Sequence, residues 1–182
     1  VNHEPVVPDI LTVAKGITSG YVPMGAAIVN DRIAQHFEDR LLPIGCTYTG
    51  HPLACAAALA SLEEYQATGA IENSKAMGAV LADELAGLME RHPCVGDVRS
   101  QGLFACIELV KDRETRQRLI EFNTSPPLVN EIKNQCLSRG LYVFARWNLI
   151  LISPPLIINE SQLKDGLGRL DEVLTWLDRQ AN

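Results

Sequence analysis

Leu163, Leu167, Leu170, Leu174 and Leu177 recur at helical spacing. The end of this chain must therefore form a helix with one apolar face, and such a face needs a second layer to cover it. Asn159, with Gln162 three residues later, gives that helix a capping-box start. The covering layer is legible upstream. CVGDVR (94–99) and LFACIELV (103–110) read as strands joined by a Ser100-Gln101-Gly102 turn. LYVFA (141–145) and LILIS (149–153) read as two more, the second stopped by Pro154-Pro155. A helix over Ile71 to Arg91 carries Val80, Leu81, Leu85 and Leu88 on one stripe and closes at His92-Pro93. Another runs from Pro126 to Arg139 and ends at Gly140. Residues 111–125 are polar and are expected to be loop with one helical turn at most. Residues 69–182 thus read as a compact α+β unit, with helices on one side of a small sheet.

Residues 1–68 have a different grammar. VNHEPVVPD is turn-like, and DILTVAK (9–15) is a short apolar run at a strand edge. GITSGYVPMG must be loop, given its glycines and proline. GAAIV (25–29) lacks polar alternation and predicts a buried strand. Asp31 to Phe37 predicts a short helix capped by Asn30. LLPIGCTYTG (41–50) is a second loop. His51 to Tyr65 is an alanine-rich helix with Pro52 in its first turn, ended by Gly69. This block reads as part of an α/β layer. The chain opens on Val, which reads as a cut through a larger protein. A layer separated from its neighbours is expected to expose apolar surface and sheet edges.

Several function classes are disfavoured. The net charge of −6, with no basic stripe, argues against a nucleic-acid partner. No apolar run nears the ~20 residues a membrane span requires, and the start lacks the pattern of a signal peptide. The five cysteines form no CxxC, so neither a disulfide framework nor a metal site is expected; reduced thiols in a cytoplasmic protein fit better. GxxxxGK[ST] and GxGxxG are absent.

Four residues could carry chemistry. Lys15 follows ILTVA and precedes Gly16. A desolvated lysine there would attack carbonyls, while a solvated one would simply end a strand. Thr47 precedes a helix N-terminus, where free N–H groups suit a phosphate; the alternative is an ordinary turn threonine. Arg146 lies between two apolar strands beside Trp147, either as a carboxylate clamp or as a snorkelling surface residue. His51 invites a general-base reading, but its place in the first helical turn favours a structural one.

These segments, taken together and in order, resemble a known family. PDILTVAKGITSGYVPMGAAIV resembles the cofactor-lysine segment of class III (omega-type) aminotransferases, and TYTGHPLACAAAL resembles the segment that follows it. GLFACIELVKD and GLYVFARWNLILISPPLIINESQL resemble the family's C-terminal domain, nearest to the taurine–pyruvate and omega-amino-acid branch. The resemblance implies the C-terminal portion of a PLP-dependent transferase of fold type I. Residues 1–68 would be the end of the large PLP-binding domain and residues 69–182 the small domain. It implies pyridoxal 5'-phosphate as cofactor, with Lys15 bonded to it as a Schiff base and later moving the substrate proton. It implies that Thr47 binds the cofactor phosphate of the partner subunit, within a homodimer that shares its active site across the interface. Arg146 is the candidate for holding a substrate carboxylate. The implied reaction passes an amino group from an amine or omega-amino acid to a 2-oxo acid such as pyruvate. An aminomutase or decarboxylase on the same scaffold is the alternative, although the histidine of GHP favours the aminotransferase. A non-catalytic dimerisation module is the rival from outside enzymology. The family's Gly/Ser-rich phosphate loop, ring-stacking aromatic and pyridinium-pairing aspartate lie in an N-terminal half not among these residues, so the chain alone is expected to be inactive.

Overall fold

The computed structural model describes residues 6–181, which fall into two compact units divided between Thr68 and Gly69. The turn-like reading of residues 1–9 falls partly on residues 1–5, outside the described residues.

In the first unit, β1 (Ile10–Ala14) and β2 (Gly25–Val29) form an antiparallel pair with Ile10 opposite Val29. Its open end is tied at Asp9: the Asp9 carboxylate accepts from Asn30 Nδ2 at 2.6 Å and from Arg32 at 2.9 Å. Helix α1 (Asp31–His36) starts as expected, with Asn30 Oδ1 accepting from the Ile33 N–H. Helix α2 (Pro52–Ala67) carries Pro at its start. It is apolar on more than one side: Ala54 and Ala58 are buried, while Leu53, Leu59 and Leu62 are exposed. The sequence reading of GAAIV as a buried strand does not hold, since every β2 residue but Ala26 is exposed. Both faces of a two-stranded ribbon remain open unless further layers cover them. The expectation of uncovered apolar surface in this block is met by Ile10, Ile28, Leu41 and Ile44.

In the second unit, α3 (Ala70–Arg91) leads into β3 (Val95–Gln101) and β4 (Phe104–Asp112). Next come a two-residue strand β5 (Gln117–Arg118) and α4 (Pro127–Ser138), then β6 (Phe144–Arg146), β7 (Leu149–Ile152) and α5 (Glu160–Ala181). The strand order is β3-β4-β7-β6, antiparallel throughout, with β5 paired to β4. Ala105, Ile107 and Leu109 of β4 are buried and alternate with the less buried Cys106 and Glu108. One face of the sheet thus joins the α3, α4 and α5 stripes in a single core. The five α5 leucines are all buried; at about 2 kcal/mol each they contribute on the order of 10 kcal/mol of transfer free energy. The capping box is present in both directions: Gln162 N–H donates to Asn159 Oδ1 at 2.9 Å, and Asn159 N–H to Gln162 Oε1 at 3.2 Å.

Three strand readings need correction. The β3–β4 turn is Gly102-Leu103, because Gln101 pairs with Phe104. Gly102 takes φ +54 there and lies against Gly78 of α3. Residues 111–125 contain β5, which pairing with β4 creates from a polar sequence that carries no strand pattern of its own. Leu141–Val143 stays outside β6, and Arg146 closes that strand instead of lying between strands.

A polar knot around the buried His92 joins α3 to α5. The His92 ring bridges Asp178 (2.7 Å) and Asp171 (3.0 Å), and Arg91 also binds Asp171 at 2.8 Å. Burial works against the charged form of both carboxyls, but hydrogen bonds outweigh it and hold them below the usual carboxylate range. Those bonds come from Cys94 and His92 at Asp178, and from His92 and Arg91 at Asp171.

Candidate active site

Strand β1 ends at Ala14, and Lys15 opens a short 3-10 turn over Lys15–Thr18. Part of the stretch read as pure loop is therefore regular. Lys15 is exposed and has φ +55, a left-handed conformation that lysine rarely adopts. Such strain persists only where the surroundings enforce it. Here the enforcement is visible. Tyr65 of α2 donates its hydroxyl to the Gly16 carbonyl at 2.8 Å. The Ser19 hydroxyl lies 2.7 Å from that of Ser61 and 3.3 Å from that of Tyr65. Thr18, only 1% exposed, donates to the Val22 carbonyl at 2.6 Å. Among the described residues the Lys15 ammonium has no hydrogen-bond or ion-pair partner. The turn is thus anchored immediately after a lysine whose amine is left free.

Sequence reasoning missed Tyr65, Ser61, Ser19 and Thr18. Their one readable signal is the spacing of Ser61 and Tyr65, which places two hydroxyls on one face of α2.

Thr47 lies in an exposed turn, closed by Thr49 N–H donating to the Cys46 carbonyl at 2.9 Å, with Gly50 at φ +70. This turn feeds α2 directly. His51 is the N-cap and makes no side-chain cap hydrogen bond, so it leaves the first-turn amides of α2 uncapped by a side chain. Uncapped amides at a helix N-terminus can receive an anion. His51 is exposed, and its ring lies 6.4 Å from that of Tyr48. His51 precedes the first helical turn instead of lying in it, and it takes part in the helix through its backbone, its carbonyl accepting from the Cys55 N–H at 3.0 Å.

Arg146 belongs to the second unit. It is exposed at the end of β6, with Cζ 4.2 Å from the centroid of the Trp147 ring. Trp147 packs in turn on Phe122, with ring centroids 4.4 Å apart. A cleft of about 410 Å³ opens here, lined also by Asn123, Thr124, Ser125 and Lys133.

Comparisons with known proteins agree with this architecture. The profile of the family Aminotransferase class-III matches residues 1–174. Putrescine–pyruvate aminotransferase of Pseudomonas aeruginosa is 36% identical over 159 residues, covering 87% of this chain and 34% of that protein. Taurine–pyruvate aminotransferase of Bilophila wadsworthia is 32% identical, over 98% of this chain and 41% of that protein. A solved structure of taurine:2-oxoglutarate aminotransferase from Bifidobacterium kashiwanohense, in complex with PLP and glutamate, superposes with a TM-score of 0.90 at 40% identity. It covers 97% of this chain and 40% of that one. The fold is therefore that of part of a PLP-dependent transaminase. The chain belongs to the class III aminotransferase family, and it spans about two-fifths or less of the length of these relatives.

Proposed function

We propose that this chain is the lysine-bearing portion of a PLP-dependent aminotransferase that moves an amino group from an amine or omega-amino acid to a 2-oxo acid such as pyruvate. The observation that carries the reading is the family match over residues 1–174, which takes in Lys15; the lysine is solvated in this chain, so the match and not desolvation singles it out. The residues present fit the cofactor. Lys15 is the one lysine of residues 1–68 and would hold it covalently. Thr47 and the uncapped amides of α2 would hold the phosphate carried by a partner subunit. The bound group supplies an electron sink for the substrate Cα carbon.

This chain's residues do the rest. Lys15 carries the proton between donor and acceptor positions, and among the described residues no carboxylate pairs with its amine. Arg146 offers guanidinium N–H edges to a substrate carboxylate. A homodimer is required, since Thr47 serves the partner's site. The five unpaired thiols support a reducing, cytoplasmic setting. No described helix is long and apolar enough to cross a membrane.

This chain spans about two-fifths or less of its relatives' length, so we place the activity in the whole protein and not in these residues alone. The test is transamination by the full-length protein with pyruvate as acceptor. Lys15→Ala should lower turnover by about 10²–10⁴-fold or more. Undiminished turnover would overturn the assignment, and no turnover with any amine in the unaltered protein would favour a non-catalytic module.

A further inference from the structure

The β6–β7 hairpin holds an outlier that neither the family match nor the carboxylate reading explains. Its two-residue turn is Trp147-Asn148, and Trp147 has φ +52. A bulky aromatic is poorly suited to that conformation, which glycine takes freely. The turn is nevertheless over-determined. Asn148 is 5% exposed, its side chain donates to Glu108 at 3.2 Å, and its carbonyl accepts from the Leu109 N–H at 2.7 Å. These bonds clamp the backbone, so the strain falls on Trp147. What the strain achieves is visible in the rings: one part of the indole meets Phe122 and the guanidinium of Arg146 lies over it.

We propose that Trp147 is a positioning residue, which holds the face of the Arg146 guanidinium so that its edges stay free for a substrate oxyanion. The inference rests on the proposed role of Arg146 and goes beyond it. Arg146 has no hydrogen bond or ion pair among the described residues, so the indole is what orders it. Stacking occupies the π face of a guanidinium and leaves its in-plane N–H fork for a carboxylate or sulfonate. The charged side chains lining the cleft, Arg146 and Lys133, are both cationic, and Thr124 and Ser125 add hydroxyls. This chemistry selects an acidic substrate end. Phe122 sets the position of Trp147 and acts one step further back.

The test compares Trp147→Phe, Trp147→Gly and Arg146→Ala in the full-length, PLP-loaded protein, reading KM and kcat separately for pyruvate and for an amine donor uncharged apart from its amino group. Trp147→Gly suits the turn's backbone, so it should fold with an unchanged or higher melting temperature. It should still raise KM for pyruvate about five- to tenfold, a cation–π contribution expressed as affinity. Values of kcat and of KM for the uncharged amine should stay within about twofold. Trp147→Phe keeps a π face and should recover most of the loss. Trp147→Gly in the Arg146→Ala background should add nothing. If Arg146→Ala raises KM and Trp147→Gly does not, the positioning role is wrong while the role of Arg146 stands. If Arg146→Ala leaves KM for pyruvate unchanged, the carboxylate reading fails, and this inference with it. Equal losses for pyruvate and the uncharged amine would mark Trp147 as merely structural and overturn the proposal.

Discussion

Gly78 should reject the smallest substitution, although it sits inside a helix where alanine is normally preferred. A Cβ at Gly78 would lie 2.6 Å from Gly102 Cα, 2.7 Å from its carbonyl carbon and 2.8 Å from its oxygen. Ordinary carbon contacts are ~3.5–4.0 Å, so α3 and the β3–β4 turn must part by about 1 Å. The obstacle is backbone, and that backbone cannot yield easily: Gly102 is fixed at φ +54, and a Cβ on it would meet Ser74 Oγ at 3.1 Å. Overpacking of this kind costs about 1–3 kcal/mol. Replacing a helical glycine by alanine returns at most about 1 kcal/mol. With the full return subtracted, Gly78→Ala should still destabilise the chain, by up to roughly 2 kcal/mol. Gly168 of α5 is the matched control, because a Cβ there meets nothing within 4 Å. Gly168→Ala should stabilise by up to about 1 kcal/mol. Thermal melts of both variants, followed by helical circular dichroism, should move in opposite directions. A Gly78→Ala melt at or above the unaltered one would refute the close approach of α3 and the hairpin.

Two further outcomes follow from the second unit. Asp171 and Asp178 are held below their usual range in the folded chain, so the unfolded chain binds protons first as pH falls. Their contribution should be complete above about pH 5 and decline below about pH 4, and urea melts of Asp178→Asn should lose much of that acid dependence. A parallel acid decline in the variant would contradict the reading. Thiol chemistry should divide the cysteines: Cys46 and Cys55 are exposed, whereas burial pushes the Cys136 thiol up to about 11 and raises those of Cys94 and Cys106. A small aromatic disulfide at pH 8 should label the first pair quickly, and rapid labelling of Cys94 or Cys136 in the folded chain would argue against their burial.

The sequence exposed those parts whose causes are local. The α5 stripe, its Asn159–Gln162 box and the Asn30 cap each arise within a turn or two of chain, so periodicity and capping chemistry sufficed. The missed features were set by distant partners. Strand β5 exists because β4 offers an edge, and the hairpin turn shortens to Gly102-Leu103 because the β3–β4 pairing runs on to Gln101 and Phe104. Strand β2 has the composition of a buried strand, yet among the described residues nothing covers it. At the candidate site, local spacing leaves Lys15 and Thr47 open to bland readings, and it is the resemblance of whole segments that singles them out. The strained backbone at Lys15, and the Tyr65 and Ser61 hydroxyls that hold its turn, could not be read there, because the contacts span more than forty residues. Trp147 repeats this lesson: its place beside Arg146 is plain, but a left-handed tryptophan is not.

The account stands or falls on Lys15. The most direct measurement is to add PLP to the full-length protein, reduce with borohydride and map the labelled peptide. The account predicts a single label on Lys15, the one lysine of residues 1–68. A label on Lys75, Lys111, Lys133 or Lys164 instead, or one spread among them, would contradict it.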